Sequence, residues 1–136
     1  MFSVQVRQEA RGVVFALRGE LDFDSVVQLQ EAGEAELARG RGAGSVVADC
    51  ARLTFCDSSG ISALLRLFQQ LAAQERVLRL AALPDSVARL FSITGLNQLF
   101  SVYADADKAL GEGTSSRDIV SADADGPAQS KERQNK

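Results

Sequence analysis

The chain opens on alternation. Phe2, Val4 and Val6 take turns with Ser3, Gln5 and Arg7, the period of two expected of a half-buried strand. Gly12 marks a turn into the apolar, partly β-branched run Val13–Arg18, so Met1–Gln8 and Val13–Arg18 read as a hairpin. In "GELDFDS" the residues Asp22, Asp24 and Ser25 are each able to cap a helix start. From Val26 the apolar positions Val26, Leu29, Ala32 (or Gly33) and Leu37 fall near helical spacing, and the glycine-rich "RGRGAG" ends the pattern. Glu31, Glu34 and Glu36 on this segment read as a solvated face.

The second half continues the exchange of strand and helix. Ser45–Cys50 is a short apolar run, read as an inner strand with both faces covered. Beyond "TFCDSSGIS", the residues Ile61, Leu64, Leu65, Phe68, Leu71 and Ala72 recur at three- and four-residue steps, predicting an amphipathic helix to about Gln74. Val77–Leu80 reads as a strand. "LPDSVARLFSIT" reads as a short helix stopped at Gly95, with Leu90 and Phe91 in the core. Leu99–Val102 predicts a last strand and Asp105–Leu110 a last helical piece. Strands alternating with helices favour a sheet with parallel crossovers and helices stacked on it, an α/β fold. From Glu112 the chain turns polar, with Ile119 and Val120 its only large apolar residues, and Glu112–Lys136 is expected to be a disordered tail dispensable for folding.

Composition narrows the function more than the fold. Within 136 residues, 46% of them apolar, there is room for one domain with an ordinary core. A net charge of −3 leaves no basic footprint for nucleic acid. No apolar run approaches the roughly 18 residues of a membrane span, and the first residues lack a secretory pattern. With no histidine, neither a Ser-His-Asp nor a Cys-His set can be built within the chain. No glycine-rich phosphate cradle appears, and the two cysteines, Cys50 and Cys56, are too few for a disulfide framework or a thiolate zinc site. They read as reduced packing residues. The totals point away from an enzyme, a cofactor and a metal.

One cluster remains. In "TFCDSSGIS" an acid, two hydroxyls and a glycine sit where the period changes from strand to helix. Asp57, Ser58 and Ser59 all compete for the single N-cap of the following helix, so those that do not cap are left to face solvent. Gly60 would permit close approach of another backbone.

The segments "GELDF", "DCARLTFCDSSGISALL" and "LPDSVARLFSITGLNQLF", taken together, resemble the STAS-domain family, and more narrowly the bacterial anti-sigma factor antagonists, also called anti-anti-sigma factors. The resemblance spans about Phe2 to Leu110. It implies a single STAS-like domain over residues 1–111, with a mixed sheet of about five strands and about four helices packed on it.

It also implies a cytoplasmic regulatory binding module, a monomer when free, with no membrane or nucleic-acid partner. Such antagonists bind an anti-sigma factor that is also a serine kinase, which frees a sigma factor. The kinase switches them off by phosphorylating the first serine of the D-S-S-G motif, here Ser58, and a serine phosphatase restores them. The partner surface carried over by the resemblance comprises Asp22, Asp57, Ser58, Ser59, Gly60 and Ile61. Cys56 stands where Met or another larger apolar residue is more usual, and Ser62 where Gly, Ala or Thr is. Both would flank the contact surface and bear on partner choice. The alternatives are a STAS subunit of a stress-sensing scaffold or of a lipid or anion transporter complex. A serine hydrolase would need G-x-S-x-G and a histidine base, and the chain has neither.

Overall fold

The computed structural model describes residues 1–111. The expected tail, 112–136, lies outside the described residues. Strand β1 (Phe2–Glu9) pairs antiparallel with β2 (Gly12–Leu21), as the alternation predicted, with Val4 opposite Leu17. The chain then alternates: α1 (Val26–Leu37), β3 (Ser45–Cys56), α2 (Ser58–Ala72), β4 (Leu78–Ala81), α3 (Asp85–Thr94), β5 (Val102–Tyr103) and α4 (Ala106–Gly111). The five strands lie in the order β1-β2-β3-β4-β5, antiparallel at the hairpin and parallel elsewhere. It is the mixed α/β sheet that the sequence suggested.

Period-two alternation divides the core between the two faces of this sheet. Val13, Phe15, Leu17 and Leu21 of β2 face the helices α1, α2 and α3, joining Leu29, Leu64, Leu67, Leu71 and Phe91. Phe100 closes this layer against Phe68, with ring centroids 5.0 Å apart in an edge-to-face arrangement. Val14, Val47 and Ala81 point the other way and are covered by Ala106, Ala109 and Leu110 of α4. Leu90, expected in the core, is only half-buried, whereas Phe91 is fully buried. The helical phase gives the inner position to the aromatic ring.

Two strand boundaries differ from expectation. β3 does not stop at Cys50 but runs on to Cys56, and its pairing with β2 slips between Ala16 and Arg18 and again between Gly19 and Glu20. Each slip inserts one extra residue into β3, so the neighbours Ala51 and Arg52 are both exposed, as are Thr54 and Phe55. That doubling breaks the alternation by which a strand is recognised. β5 is Val102–Tyr103 rather than Leu99–Val102, because Leu96–Gln98 forms a 3-10 turn that swings Phe100 inward.

Glu36 corrects the solvated-face reading of α1. Glu31 and Glu34 are exposed, but Leu29, Gly33 and Glu36 share the inner stripe, and Glu36 is buried. It accepts from Arg76 at 2.5 Å and from the half-exposed Arg39 at 3.1 Å. Arg76, itself buried, also donates to the carbonyls of Glu36 (3.1 Å) and Gly44 (2.6 Å), and Gln74 donates to the Leu37 carbonyl at 2.8 Å. The Glu36 and Leu37 carbonyls at the end of α1, which already accept the N–H groups of Arg39 and Gly40 at 3.1 Å, thus gain a second donor each from the turn that follows α2.

Removing one member of a buried ion pair strands the other charge. Arg76→Met is therefore expected to lower stability by about 3 kcal/mol in urea denaturation, with Arg39 retaining a share of the Glu36 charge. Glu36→Leu added to Arg76→Met should recover most of that loss. Equal instability of the single and double variants would show that packing, not the unpaired charge, dominates.

Candidate functional site

The ends of β2 and β3 bring the polar cluster together. Leu21 lies beside Cys56 in register, and the Asp57 N–H donates to the Leu21 carbonyl at 3.2 Å. The two chains therefore leave the sheet side by side, one into Asp22 and the other into Asp57. Asp57 has extended backbone and is the N-cap of α2, its Oδ1 accepting from the Gly60 N–H at 3.1 Å. A cap of this kind is worth about 1 kcal/mol. The competition within "DSSG" is thereby decided, and the two serines occupy the first helical positions. Ser58 is exposed and Ser59 half-buried. Among the described residues the Ser58 hydroxyl has no hydrogen-bond partner.

Within the fold Gly60 serves a packing purpose, and its nearest neighbours are side chains. A Cβ there would lie 2.8 Å from the Cys56 Sγ and 2.8 Å from the Leu21 Cγ, well inside contact distance. The missing side chain lets the first turn of α2 rest directly on the ends of β2 and β3. Gly60 is buried, and Ile61 is half-buried against the core.

Asp22 is half-buried and its carboxylate is engaged within the turn that precedes α1. Its Oδ1 accepts from the N–H groups of Asp24 (3.1 Å) and Ser25 (3.0 Å). The Ser25 hydroxyl accepts from the Asp22 N–H at 2.9 Å and donates to the Glu20 carbonyl at 2.8 Å. Asp22 thus closes a turn instead of capping α1, whose N-cap residue Ser25 makes no side-chain cap bond. This tight turn throws Phe23 outward, 78% exposed between two aspartates, while Val27 is exposed at the second position of α1. Sequence reasoning passed over Phe23. Its signal was an aromatic residue between two acids, out of phase with the helix that follows.

Cys50 and Cys56 are both free thiols and both are buried, as packing residues are. Cys56 therefore lies beneath the cluster rather than on its rim, whereas Ser62 is exposed. Burial pushes the Cys50 thiol far up from its ordinary value, with the neighbouring Cys56 and Asp49 adding to it. Burial, with Asp57 beside it, pushes Cys56 up to about 12. These thiols are protonated packing groups, not nucleophiles. Among the described residues no three His, Cys, Asp or Glu side chains gather as a metal site would require, and no helix is long and apolar enough to cross a membrane.

The sequence matches, over residues 4–102, the family described as "Mlab, STAS domain". The chain belongs to the STAS-domain family. Solved structures bear the same fold. An anti-sigma factor antagonist from Mycobacterium paratuberculosis superposes with a TM-score of 0.76 at 23% identity, covering 85% of this chain and 96% of that one. The Bacillus cell fate determinant SpoIIAA in its phosphorylated form gives 0.64 at 26%, covering 81% and 98%. The unphosphorylated form of SpoIIAA, an anti-sigma factor antagonist, gives 0.62 at 25%, covering 81% and 96%. A sulfate transporter family protein from Wolinella succinogenes gives 0.64 at 15%, covering 79% and 88%. This STAS domain is thus similar to regulatory antagonists over nearly their whole length and shares its fold with a transporter-family protein.

Two outcomes follow for the STAS domain. Gly60→Ala should cost about 1–3 kcal/mol by overpacking, and Cys56→Ala in the same chain should restore part of it by removing one of the two clashing atoms. Chemical denaturation of the four-member cycle checks this, and strict additivity would contradict it. Alkaline pH should also destabilise the domain. The Cys56 thiol ordinarily ionises at 9.0 and in the folded state is raised to about 12. Its contribution to stability is complete below pH 9.0 and is lost as pH rises toward 12. A melting temperature that falls over this window, and falls less in Cys56→Ala, is the expected result.

Proposed function

We propose that this STAS domain is an anti-sigma factor antagonist. It binds an anti-sigma factor with serine kinase activity in the cytoplasm, frees a sigma factor, and is switched off by phosphorylation of Ser58. A serine phosphatase resets it. The domain carries out no catalysis of its own and is a monomer when free. The observation that carries the reading is the exposed, unbonded hydroxyl of Ser58 at the start of a helix already capped by Asp57. A residue with no capping duty can be modified without unmaking the fold. Asp22, Asp57, Ser58, Ser59 and Ile61 form the partner surface, Gly60 supports it from beneath, and the exposed Phe23 extends it. Residues 1–111 make up the regulatory domain and 112–136 an appended tail.

Phosphorylation would act here as a local change of charge. A phosphate brings about −1.5 to −2 units to a neutral hydroxyl. The positive end of the α2 dipole favours that charge, and the N–H groups of Ser58 and Ser59 have no protein acceptor among the described residues. Asp22, Asp24 and Asp57 already lie at this end of the sheet, so the added phosphate makes the surface strongly anionic. A partner shaped to the bare hydroxyl meets both bulk and unbalanced charge.

A second reading, a STAS subunit of a stress-sensing scaffold or of a lipid or anion transporter complex, is kept because the matched family is described by Mlab rather than by an antagonist. ATP-dependent labelling by candidate anti-sigma kinases separates the two. Ser58→Ala should fold with a loss under about 1 kcal/mol, since Asp57 holds the cap, bind the kinase and accept no phosphate. Ser58→Asp should bind poorly, and Ser59→Ala should still be labelled. Wild-type labelling of Ser58→Ala, or unimpaired binding by Ser58→Asp, would turn the reading to the transporter or scaffold subunit.

A further inference from the structure

The face of the sheet away from α1 and α2 is covered only in part. Helix α4 seals Val14, Val47 and Ala81, and beyond it β2 and β3 continue toward Leu21 and Cys56 with exposed side chains. A shallow, open site of ≈ 520 Å³ lies there, lined by Met1, Arg18, Gly19, Ala51, Arg52 and Thr54. Three features set it apart from an ordinary solvated sheet face.

The first is charge. Arg18 and Arg52 are direct partners across β2 and β3, an arrangement in which like charges repel. Among the described residues neither forms an ion pair. Asp49, three residues before Arg52 on β3, has its Oδ1 held by the Ala51 N–H at 3.1 Å. In a chain of net charge −3, two unneutralised guanidinium groups side by side are a local exception. The second feature is the backbone. The two extra residues in β3 turn Arg52 and Thr54 out on this face next to Ala51 and Phe55, where unbroken alternation would send one of each adjacent pair inward. The third is Gly19, whose positive φ of 96°, together with a Cβ that would lie 1.8 Å from the Met1 carbonyl oxygen, restricts this lining position to glycine, so no side chain stands there.

Two forked guanidinium groups and a hydroxyl around a site also lined by the small residues Gly19 and Ala51 match a tetrahedral oxyanion. We propose that this hollow binds a phosphate dianion, either the free ion or a small phosphomonoester. The site is separate from Ser58 and does not depend on the reading of Ser58 as a phosphoacceptor. Arg18 and Arg52 hold the charge through paired N–H donors, Thr54 contributes its hydroxyl, and the remaining volume admits the organic part of an ester.

The test is a titration of the full chain, labelled with 15N, against inorganic phosphate and against glycerol 3-phosphate at low ionic strength, where surface charges are least screened. Saturable amide shifts centred on Gly19, Ala51, Arg52 and Thr54 are expected for at least one of the two probes. Arg18→Gln and Arg52→Gln should each weaken binding by about tenfold. Arg18→Lys should retain an intermediate affinity, because a point charge survives without the fork. Tighter binding of glycerol 3-phosphate assigns the hollow to an ester, and equal binding assigns it to the free ion. Shifts centred on the start of α2, shifts that never saturate, or affinities untouched in both Gln variants with unchanged melting temperatures would overturn the proposal.

Discussion

The first turn of α2 rests on Leu21 and Cys56 with no space for a single extra carbon. That close approach sets the rest of the site. With Gly60 held against the strand ends, the helix has only one phase in which Ala63, Leu64, Leu67 and Leu71 also face the sheet. In that phase Ser58 and Ser62 are exposed. The cap follows as well, since Asp57 leaves β3 in extended conformation with its carboxylate in reach of the Gly60 N–H. Exposure of the serine is thus a result of packing on the opposite side of the helix. The polar motif and the apolar core are two views of one fit.

Much of this was legible in the sequence, for reasons that can be named. The hairpin and α2 announce themselves because each has one buried face and one wet face, so their periods survive in the residue pattern. The cluster at Thr54–Ser62 stood out because it holds more capping groups than one helix can use. What escaped notice depends on interactions between distant parts of the chain. Two bulges erased the alternation of β3 beyond Cys50, and they are visible only against the register of β2. Glu36 looks like any helical glutamate until Arg76, forty residues on, is brought beside it. Phe23 lies between the end of β2 and the start of α1 and belongs to neither pattern. Its exposure comes from the Asp22–Ser25 turn, whose hydrogen bonds no pattern of apolar residues reports. The packing role of Gly60 was not legible, because the atoms against it belong to Leu21, thirty-nine residues earlier, and to Cys56.

The opposite end of the helical layer is fastened by charge. Arg76 and Gln74 donate to the Glu36 and Leu37 carbonyls at the end of α1, and Glu36 answers the buried guanidinium. α1 and α2 are therefore tied at the end remote from Ser58 by polar groups that have specific partners and nowhere else to go. At the Ser58 end the same two helices begin in short turns closed by aspartates, with hydroxyls and an aromatic ring left to water. One end fixes how the helices lie on the sheet, and the other presents side chains that the fold itself does not use.

That division has an evolutionary consequence, most visible at Phe23. A ring exposed to this degree contributes little to the core, so replacing it changes the surface while leaving the architecture intact. Ser62 has the same freedom. Gly60, Leu21 and Asp57 do not, because altering any of them disturbs the seat or the cap of α2. If the outward positions form the partner surface proposed above, duplicated copies of such a chain drift apart in whom they recognise at a few residues while inheriting an identical chassis. On that reading, related domains are kept from answering one another's signals by residues whose loss no folding assay would detect.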